Sequence, residues 1–375
     1  MSTASLQGLQ LLSTAHSDGR HTVELVQQDT GAPEAHQVVV QVQATPLNPS
    51  DMGLLWGAAD VSRVEQTAQV AQAPMSEAGQ RAVAGRLNQA MPVGNEGAGL
   101  VVQAGASPEA QALLGKTVAV LAGGMYAQYR RVDAAQCVVL PDGATAAQGA
   151  SLFINPLTAL GFVETMRREG HTALVHTAAA SNLGQMLLKI CLADGISLVN
   201  IVRKPEQAQL LRDLGAQWVC DQSAPDFAEQ LTQALIETGA TLGFDATGGG
   251  GLATAILTAM EAALSRNAQA YSRYGSSTHK QVYLYGNLDT GPTVIERRFG
   301  MSWGVGGWLV FPYLEQLAPE IQAGLRKRVL AEMHTTFASH YSDEISLSAV
   351  LEPQTIARYN AKATGRKFLV NPSLG

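Results

Sequence analysis

Cysteine is scarce in this chain, and Cys137, Cys191 and Cys220 lie far apart in its 375 residues. An odd, scattered set excludes a disulfide framework and a four-cysteine metal knot, and it fits a reducing compartment; the cytoplasm is the expected location. A basic excess is missing too. Lys and Arg number 25 against 31 Asp and Glu, a formal net charge of -6. That balance argues against a nucleic-acid partner, which would need a cationic footprint. No apolar run approaches the roughly 18 residues of a membrane span. The opening MSTASLQGLQLL has no basic segment followed by an apolar one, so neither a membrane partner nor a signal peptide is expected. Charged residues make up only 15%, but hydrophobic residues reach 46%, as in a soluble globular protein and unlike a disordered one. At roughly 100–200 residues per domain, the length allows two or three.

Glycine, by contrast, is abundant, with 37 residues, above an average usage of roughly 7%. It clusters at turn positions and suits a fold with many strand-to-helix connections. Short β-branched runs at 38–42, 100–102, 116–121 and 136–140, separated by Gly, Pro and Asp, predict a β-rich first domain. The stretch 61–91 is rich in Ala and Gln, has little strand character and predicts helix or mobile loop. From 155 onward strand-like runs at 172–177, 197–202, 218–220, 241–245 and 281–285 alternate with helical spacing at 183–192, 206–214, 227–237 and 252–264. Alternation of this kind implies a parallel sheet covered on both faces. With right-handed crossovers the natural solution is an α/β, doubly wound Rossmann sheet. After Gly286 the rhythm breaks: 308–311 is apolar, 321–339 helical and 367–370 a last strand. The expected division is therefore a first domain at 1–154, a Rossmann domain at 155–306, and a return to the first domain at 307–375.

The strand at 172–177 runs into Thr177-Ala178-Ala179-Ala180-Ser181-Asn182-Leu183-Gly184 and then a helix. A dinucleotide fold needs small residues here. The turn is tight, the backbone must approach the pyrophosphate, and the helix must pack closely on the strand. Ala179, Ser181 and Gly184 stand where G-x-G-x-x-G has its glycines, and the helix N-terminus offers amides and a positive dipole. A plain strand-turn-helix is the bland alternative. Nineteen positions beyond Gly184, Arg203 and Lys204 end the next strand, where an NAD-binding protein usually has an acidic residue for the ribose 2′-hydroxyl. Two cations suit a 2′-phosphate and point to NADPH; a solvated basic helix start is the competing reading. The next strand ends lie on the same rim: Thr247 and Gly248 within 244–251, and Gly286 and Asn287 after Tyr285.

The chain resembles the medium-chain dehydrogenase/reductase superfamily, in its zinc-free NADPH:quinone oxidoreductase branch. Six pieces in family order carry the resemblance: Pro46-Leu47-Asn48-Pro49-Ser50-Asp51, Gly94-Asn95-Glu96-Gly97-Ala98-Gly99, Tyr126-Ala127-Gln128-Tyr129, Asn155-Pro156-Leu157-Thr158-Ala159, the loop to Gly184, and Gly365-Arg366-Lys367-Phe368-Leu369-Val370. The resemblance implies a GroES-like β-rich catalytic domain beside the Rossmann domain, a homodimer, and a nicotinamide held in a cleft between domains. It also implies Asn155, Thr158 and Asn48 near the nicotinamide. Zinc-dependent relatives carry Cys where this chain has Asn48 and Gly-His-Glu where it has Gly94-Asn95-Glu96. A carboxamide is a poor zinc ligand, so no metal is expected. His334 and His340 read as helix-surface residues. The Gly94–Gly97 string and the Val202-Arg203 strand end are similar to enoyl thioester reductases, but those enzymes carry a tyrosine where this chain has Trp56-Gly57-Ala58-Ala59.

Hydride transfer to an enone or quinone leaves negative charge on oxygen, which a positioned donor stabilises. Asn48 is the candidate donor. Asp51 is a candidate for a proton path or for a turn cap, and Tyr126 for a proton donor or for a half-buried strand tyrosine. Three readings follow. The first is an NADPH-dependent reductase of a small quinone or enone. The second is an enoyl thioester reductase, which needs a basic patch or long groove. The third is a non-catalytic NADPH-binding redox sensor or structural protein.

Overall fold

A computed structural model describes residues 5–266, 268–361 and 363–374. The chain forms two compact units. One is Met1–Ile154 with Leu330–Gly375; the other is Asn155–Val329.

The first unit is built from β-branched strands whose alternate side chains are buried. Gln37–Leu47 is central in its larger sheet. It pairs antiparallel with Glu96–Ala104, Tyr129–Asp133 and Phe368–Val370, so the end of the chain returns to the strand that leads into Asn48. Val38, Val40, Val42, Val101, Val118 and Val120 are all essentially unexposed between these strands. Each such burial stabilises the fold by about 1.5–3 kcal/mol. A second, antiparallel sheet joins Gln7–Ala15 and Arg20–Asp29.

That second sheet corrects the reading of 61–91. Glu65–Thr67 and Val70–Pro74 form a hairpin, and the latter strand pairs with Arg20–Asp29. Ala and Gln have weak strand preference, but Ala71 and Ala73 alternate inward and are buried against the sheet. Pairing with a preformed strand overrides local preference here. Glu77–Ala82 follows as a helix, capped by Ser76, whose side chain accepts from Gly79 N.

The second unit holds a six-stranded sheet, parallel throughout. Its spatial order is Trp218–Asp221, Ser197–Val202, Ala173–His176, Leu242–Asp245, Lys280–Leu284 and Trp303–Gly307. By order of appearance this is 3-2-1-4-5-6, the Rossmann arrangement, and the order reverses beside Ala173–His176. Val175, Val199, Ile201, Leu231, Leu235, Ile256 and Met260 make one core between sheet and helices. The helices Asn182–Asp194 and Phe227–Thr238 end on Gly195 and Gly239, both left-handed.

Two boundaries differ from expectation. The sixth strand, Trp303–Gly307, was hidden by three glycines in five residues, and glycine weakens a strand signal. It pairs in register with Lys280–Leu284. A Cβ at Gly304 would lie 2.3 Å from Gln281 Oε1, so a larger residue there would force the Gln281 side chain aside. The unit accordingly runs on to Val329, and residues 307–329 belong with it rather than with the returning segment. Trp308 shows why: its ring packs edge-on against Phe162, and its Nε1 donates to Thr165 Oγ1 at 3.0 Å. Ala146–Arg168 is long and apolar enough to cross a bilayer, which corrects the expectation that no stretch approaches a span; 83% of its most apolar window is buried, as in a core helix. The helix expected over 321–339 ends at Ala331, so His334 and His340 stand exposed beyond it.

Candidate functional site

In the second unit the turn after Ala173–His176 is held from both sides. Thr177 N donates to Phe244 O at 3.1 Å, and Ala179 N donates to Ile201 O at 3.1 Å. The turn therefore sits at the carboxyl ends of three adjacent strands, where such sheets bind ligands. Ala178 carries φ +50, the left-handed conformation that glycine adopts at less cost. Ser181 caps the helix Asn182–Asp194, its side chain accepting from Gly184 N at 3.1 Å. A Cβ at Gly184 would stand 2.1 Å from Ala179 O. Glycine is thus required where the helix touches the turn, whereas Ala179 tolerates its methyl group, fully buried. Asn182 and Leu183, partly exposed, form the first helical turn. The fit to a pyrophosphate is good: small side chains, a close backbone and a helix N-terminus meet in one place.

Arg203 and Lys204 follow the neighbouring strand, both exposed. Lys204 Nζ lies 3.7 Å from Glu206 Oε1, and no ion pair engages the Arg203 guanidinium among the described residues. Arg203 N donates to Gln207 Oε1 at 3.0 Å, which fixes the backbone and leaves the guanidinium available. On the other side, buried Asp245 organises the loop carrying Thr247 and Gly248. Its Oδ1 accepts from Thr177 Oγ1 and Thr247 N, each at 2.8 Å, and its Oδ2 from Gly248 N at 3.4 Å. Gly286 is partly exposed and Asn287 exposed just beyond Lys280–Leu284. Asn155 and Thr158 lie one turn apart on the helix Ile154–Arg168, both nearly buried. Beneath them in the same unit is an aromatic group that sequence reasoning missed. Phe162 stacks on Phe244 at 3.9 Å, and His176 Nε2 meets the Tyr285 hydroxyl at 2.7 Å. Burial pushes His176 down to about 3, so its ring is neutral.

In the first unit Asn48, Asp51, Glu96, Tyr126 and Lys367 form a buried polar group. Asn48 N donates to Asp51 Oδ2 at 2.8 Å and Asn95 N to Asp51 Oδ1 at 3.1 Å, so Asp51 ties two loops together. Asn48 Nδ2 donates to Glu96 Oε1 at 2.9 Å, and Glu96 Oε2 accepts from Phe153 N and Ile154 N at 2.9 and 3.0 Å. Burial raises Glu96 and lowers Lys367 to about 8, and their opposite charges oppose both shifts. Tyr126 is fully buried, its hydroxyl donating to Pro46 O at 3.2 Å. Trp56 Nε1 donates to the Tyr359 hydroxyl at 2.7 Å, which in turn donates to Val350 O at 3.1 Å.

Comparison with known proteins places this geometry. No known family profile matches the chain. It is 30% identical over 224 residues to a mitochondrial enoyl-[acyl-carrier-protein] reductase of Xenopus tropicalis, covering 58% of this chain and 57% of that protein. It is 32% identical over 145 residues to a quinone oxidoreductase of Pseudomonas aeruginosa, covering 38% and 44%. The chain thus spans about half the length of these curated relatives. A crystal structure of a provisionally named NADPH:quinone reductase from Mesorhizobium loti matches with TM-score 0.74 and 25% identity, over 99% of this chain and all of that one. These relatives and structural neighbours are quinone oxidoreductases and enoyl reductases of the medium-chain dehydrogenase/reductase superfamily, to which the chain is similar.

The candidate residues separate by unit. Ala179, Ser181, Asn182, Leu183, Gly184, Arg203, Lys204, Thr247, Gly248, Gly286 and Asn287 ring the strand ends of the second unit, and Asn48, Asp51 and Tyr126 gather in the first. Tyr126 is fully buried, and its hydroxyl lies against both the Pro46 carbonyl, at 3.2 Å, and the Asp51 carboxylate. The Asn48 carboxamide nitrogen already serves Glu96, and the atom left without a partner is Oδ1, an acceptor. Asp51 caps backbone amides, the turn-cap alternative. The signal for Glu96 lay in its string, Gly94-Asn95-Glu96, as a lone acid among small residues. Asp245 had a similar signal at the end of an apolar strand.

Asp51 gives a pH prediction. Burial, with the Glu96 charge adding to it, raises its carboxyl from 3.8 to about 7. Between those values the folded state binds more protons, so the group's contribution to stability falls as pH rises through the window. Relative to Asp51→Asn, the unmodified protein is expected to gain stability as pH is lowered from about 7 to about 4, by at most about 1.4 kcal/mol per pH unit. Urea unfolding across that range measures it, and a constant difference between the two proteins would contradict it.

Proposed function

We propose that the chain is an NADPH-dependent, zinc-independent reductase of a small quinone or other α,β-unsaturated carbonyl compound, acting in the cytoplasm as a homodimer. The observation that carries the reading is the turn in the second unit where the Ser181-capped helix and the Gly184 contact meet beside the strand-order reversal, one strand from Arg203, which has no ion pair among the described residues. The helix N-terminus and the 178–184 turn would hold the pyrophosphate. Arg203 and Lys204 would hold the 2′-phosphate, while Asn155 and Thr158 would face the nicotinamide end. When bound, NADPH supplies the hydride. The chain's own residues bind and orient; they offer no buried hydroxyl free to give a proton from Tyr126 or Tyr359. Protonation from water suits a quinone, whose reduced oxygens are protonated readily. Zinc independence rests on Asn48, a carboxamide already bonded to Glu96. The strand Trp303–Gly307, at the edge of its sheet among the described residues, suits pairing with a second copy.

A second reading, an enoyl thioester reductase, draws support from the likeness to the Xenopus tropicalis enzyme. Against it, Trp56 stands near the position of that group's tyrosine and is bonded to Tyr359. One assay separates the two: the pure protein with NADPH and then NADH, offered quinones, short enals and enoyl thioesters, with cofactor oxidation followed optically. Turnover of quinones with NADPH is expected. Turnover of enoyl thioesters alone would favour the second reading. NADPH binding without oxidation by any acceptor would favour a non-catalytic sensor.

A further inference from the structure

The helix Ile154–Arg168 carries Asn155 and Thr158 near its start, and a separate recess lies at its other end. All the residues lining this recess belong to the second unit. At about 1.5 Å per residue, the helix puts Arg168 about 20 Å from Asn155. The recess measures about 330 Å³, a size typical of small-molecule sites. Its aromatic wall is fixed. Trp308 is buried, its Nε1 donates to Thr165 Oγ1, and a Cβ at Gly161 would lie 2.9 Å from the indole, so glycine leaves room for the ring. The Tyr313 ring leans on Trp308 with centroids 5.3 Å apart. Leu309, 60% exposed, and Pro312 add apolar surface.

Several polar groups of the wall are already paired. Thr165 Oγ1 donates to Gly161 O at 2.8 Å, and the Tyr283 hydroxyl donates to Glu169 Oε1 at 2.8 Å. Arg168 differs. Its guanidinium lies over the Tyr313 ring, 5.5 Å from the centroid, and makes no ion pair or hydrogen bond among the described residues. A planar fork of donors matches a carboxylate. Glu169, next in the chain, opposes an anion only weakly, because its side chain is 37% exposed and solvent screens it. We propose that this recess binds a small aromatic carboxylate, with its ring against Trp308 and Tyr313 and its carboxylate on Arg168. The site is separate from the dinucleotide site at the 178–184 turn and does not depend on the reductase reading.

Phenylacetate is the probe, with phenylacetamide as its uncharged counterpart and acetate as its ringless one. Ligand-observed NMR titrations of the whole protein read the affinities. Phenylacetate should bind saturably and about tenfold or more tightly than either control, the size of one charge-assisted hydrogen bond or one aromatic contact. Saturating adenosine 2′,5′-bisphosphate should leave that affinity unchanged. Competition between the two would place the anion at the dinucleotide site and overturn the assignment. Two neighbouring substitutions should act in opposite senses. Arg168→Gln should lower phenylacetate affinity about tenfold or more, to that of phenylacetamide. Glu169→Gln should hold the affinity or raise it, by up to about fivefold, because a like charge is removed. Both side chains are exposed, so neither change should disturb the fold. Damage to the helix end would weaken binding in both variants. Such a joint loss, equal binding of phenylacetate and phenylacetamide, or no saturable binding would overturn the assignment.

Discussion

Replacing Arg203 and Lys204 together by alanine is expected to weaken NADPH binding about ten- to a hundredfold and leave NADH binding within about twofold. The range follows from losing one or two charge-assisted hydrogen bonds to a phosphate, at about 1.5–3 kcal/mol in favourable cases. The two side chains are exposed, Lys204 has only a long contact with Glu206, and Arg203 has no ion pair among the described residues. Removing them should hardly disturb the fold, since exposed substitutions of this kind usually change stability by less than about 0.5 kcal/mol. Both cations also stand at the start of the helix Pro205–Asp213, where the dipole disfavours them. The proposed 2′-phosphate contact would offset that cost. Equal loss of NADPH and NADH would show that the pair only supports the local backbone.

Gly184→Ala is expected to be the most damaging small substitution in the crevice. Its new methyl would lie 2.1 Å from Ala179 O and 2.6 Å from the Ala179 carbonyl carbon, both backbone atoms that no rotamer change can move. The turn or the helix must shift. Overpacking of this kind costs about 1–3 kcal/mol, and the shift also misplaces the helix N-terminus against the pyrophosphate. Lower thermal stability together with at least about tenfold weaker binding of both NADPH and NADH is expected. Ser181→Ala gives the comparison, since it removes the cap at about 1 kcal/mol without adding volume. Unchanged binding in Gly184→Ala would mean that the turn does not touch the dinucleotide.

The Rossmann half of the fold was legible because its signals are local. Ala173–His176 and Ser197–Val202 are apolar strands bounded by turns, and Asn182–Asp194 has helical spacing after a capping serine. What escaped depended on distant partners. Trp303–Gly307 reads as loop until Gln281 and Tyr283 are seen beside it, and Val70–Pro74 reads as helix or loop until Arg20–Asp29 pairs with it. The site divided in the same way. The small-residue turn and the two cations announce themselves in sequence, since each motif is continuous. Glu96, 48 positions from Asn48, does not, nor does the Thr177–Asp245 bond across 68 positions. The surroundings of Tyr126 were hidden for the same reason: nothing local reveals that its hydroxyl meets the Pro46 carbonyl.

A calorimetric titration of the pure protein with NADPH tests the crevice most directly. Saturable binding of one cofactor per chain, tighter than NADH and blocked by prior adenosine 2′,5′-bisphosphate, is the expected result. No saturable heat with either dinucleotide would contradict it, and with it every role assigned around Ser181, Gly184 and Arg203.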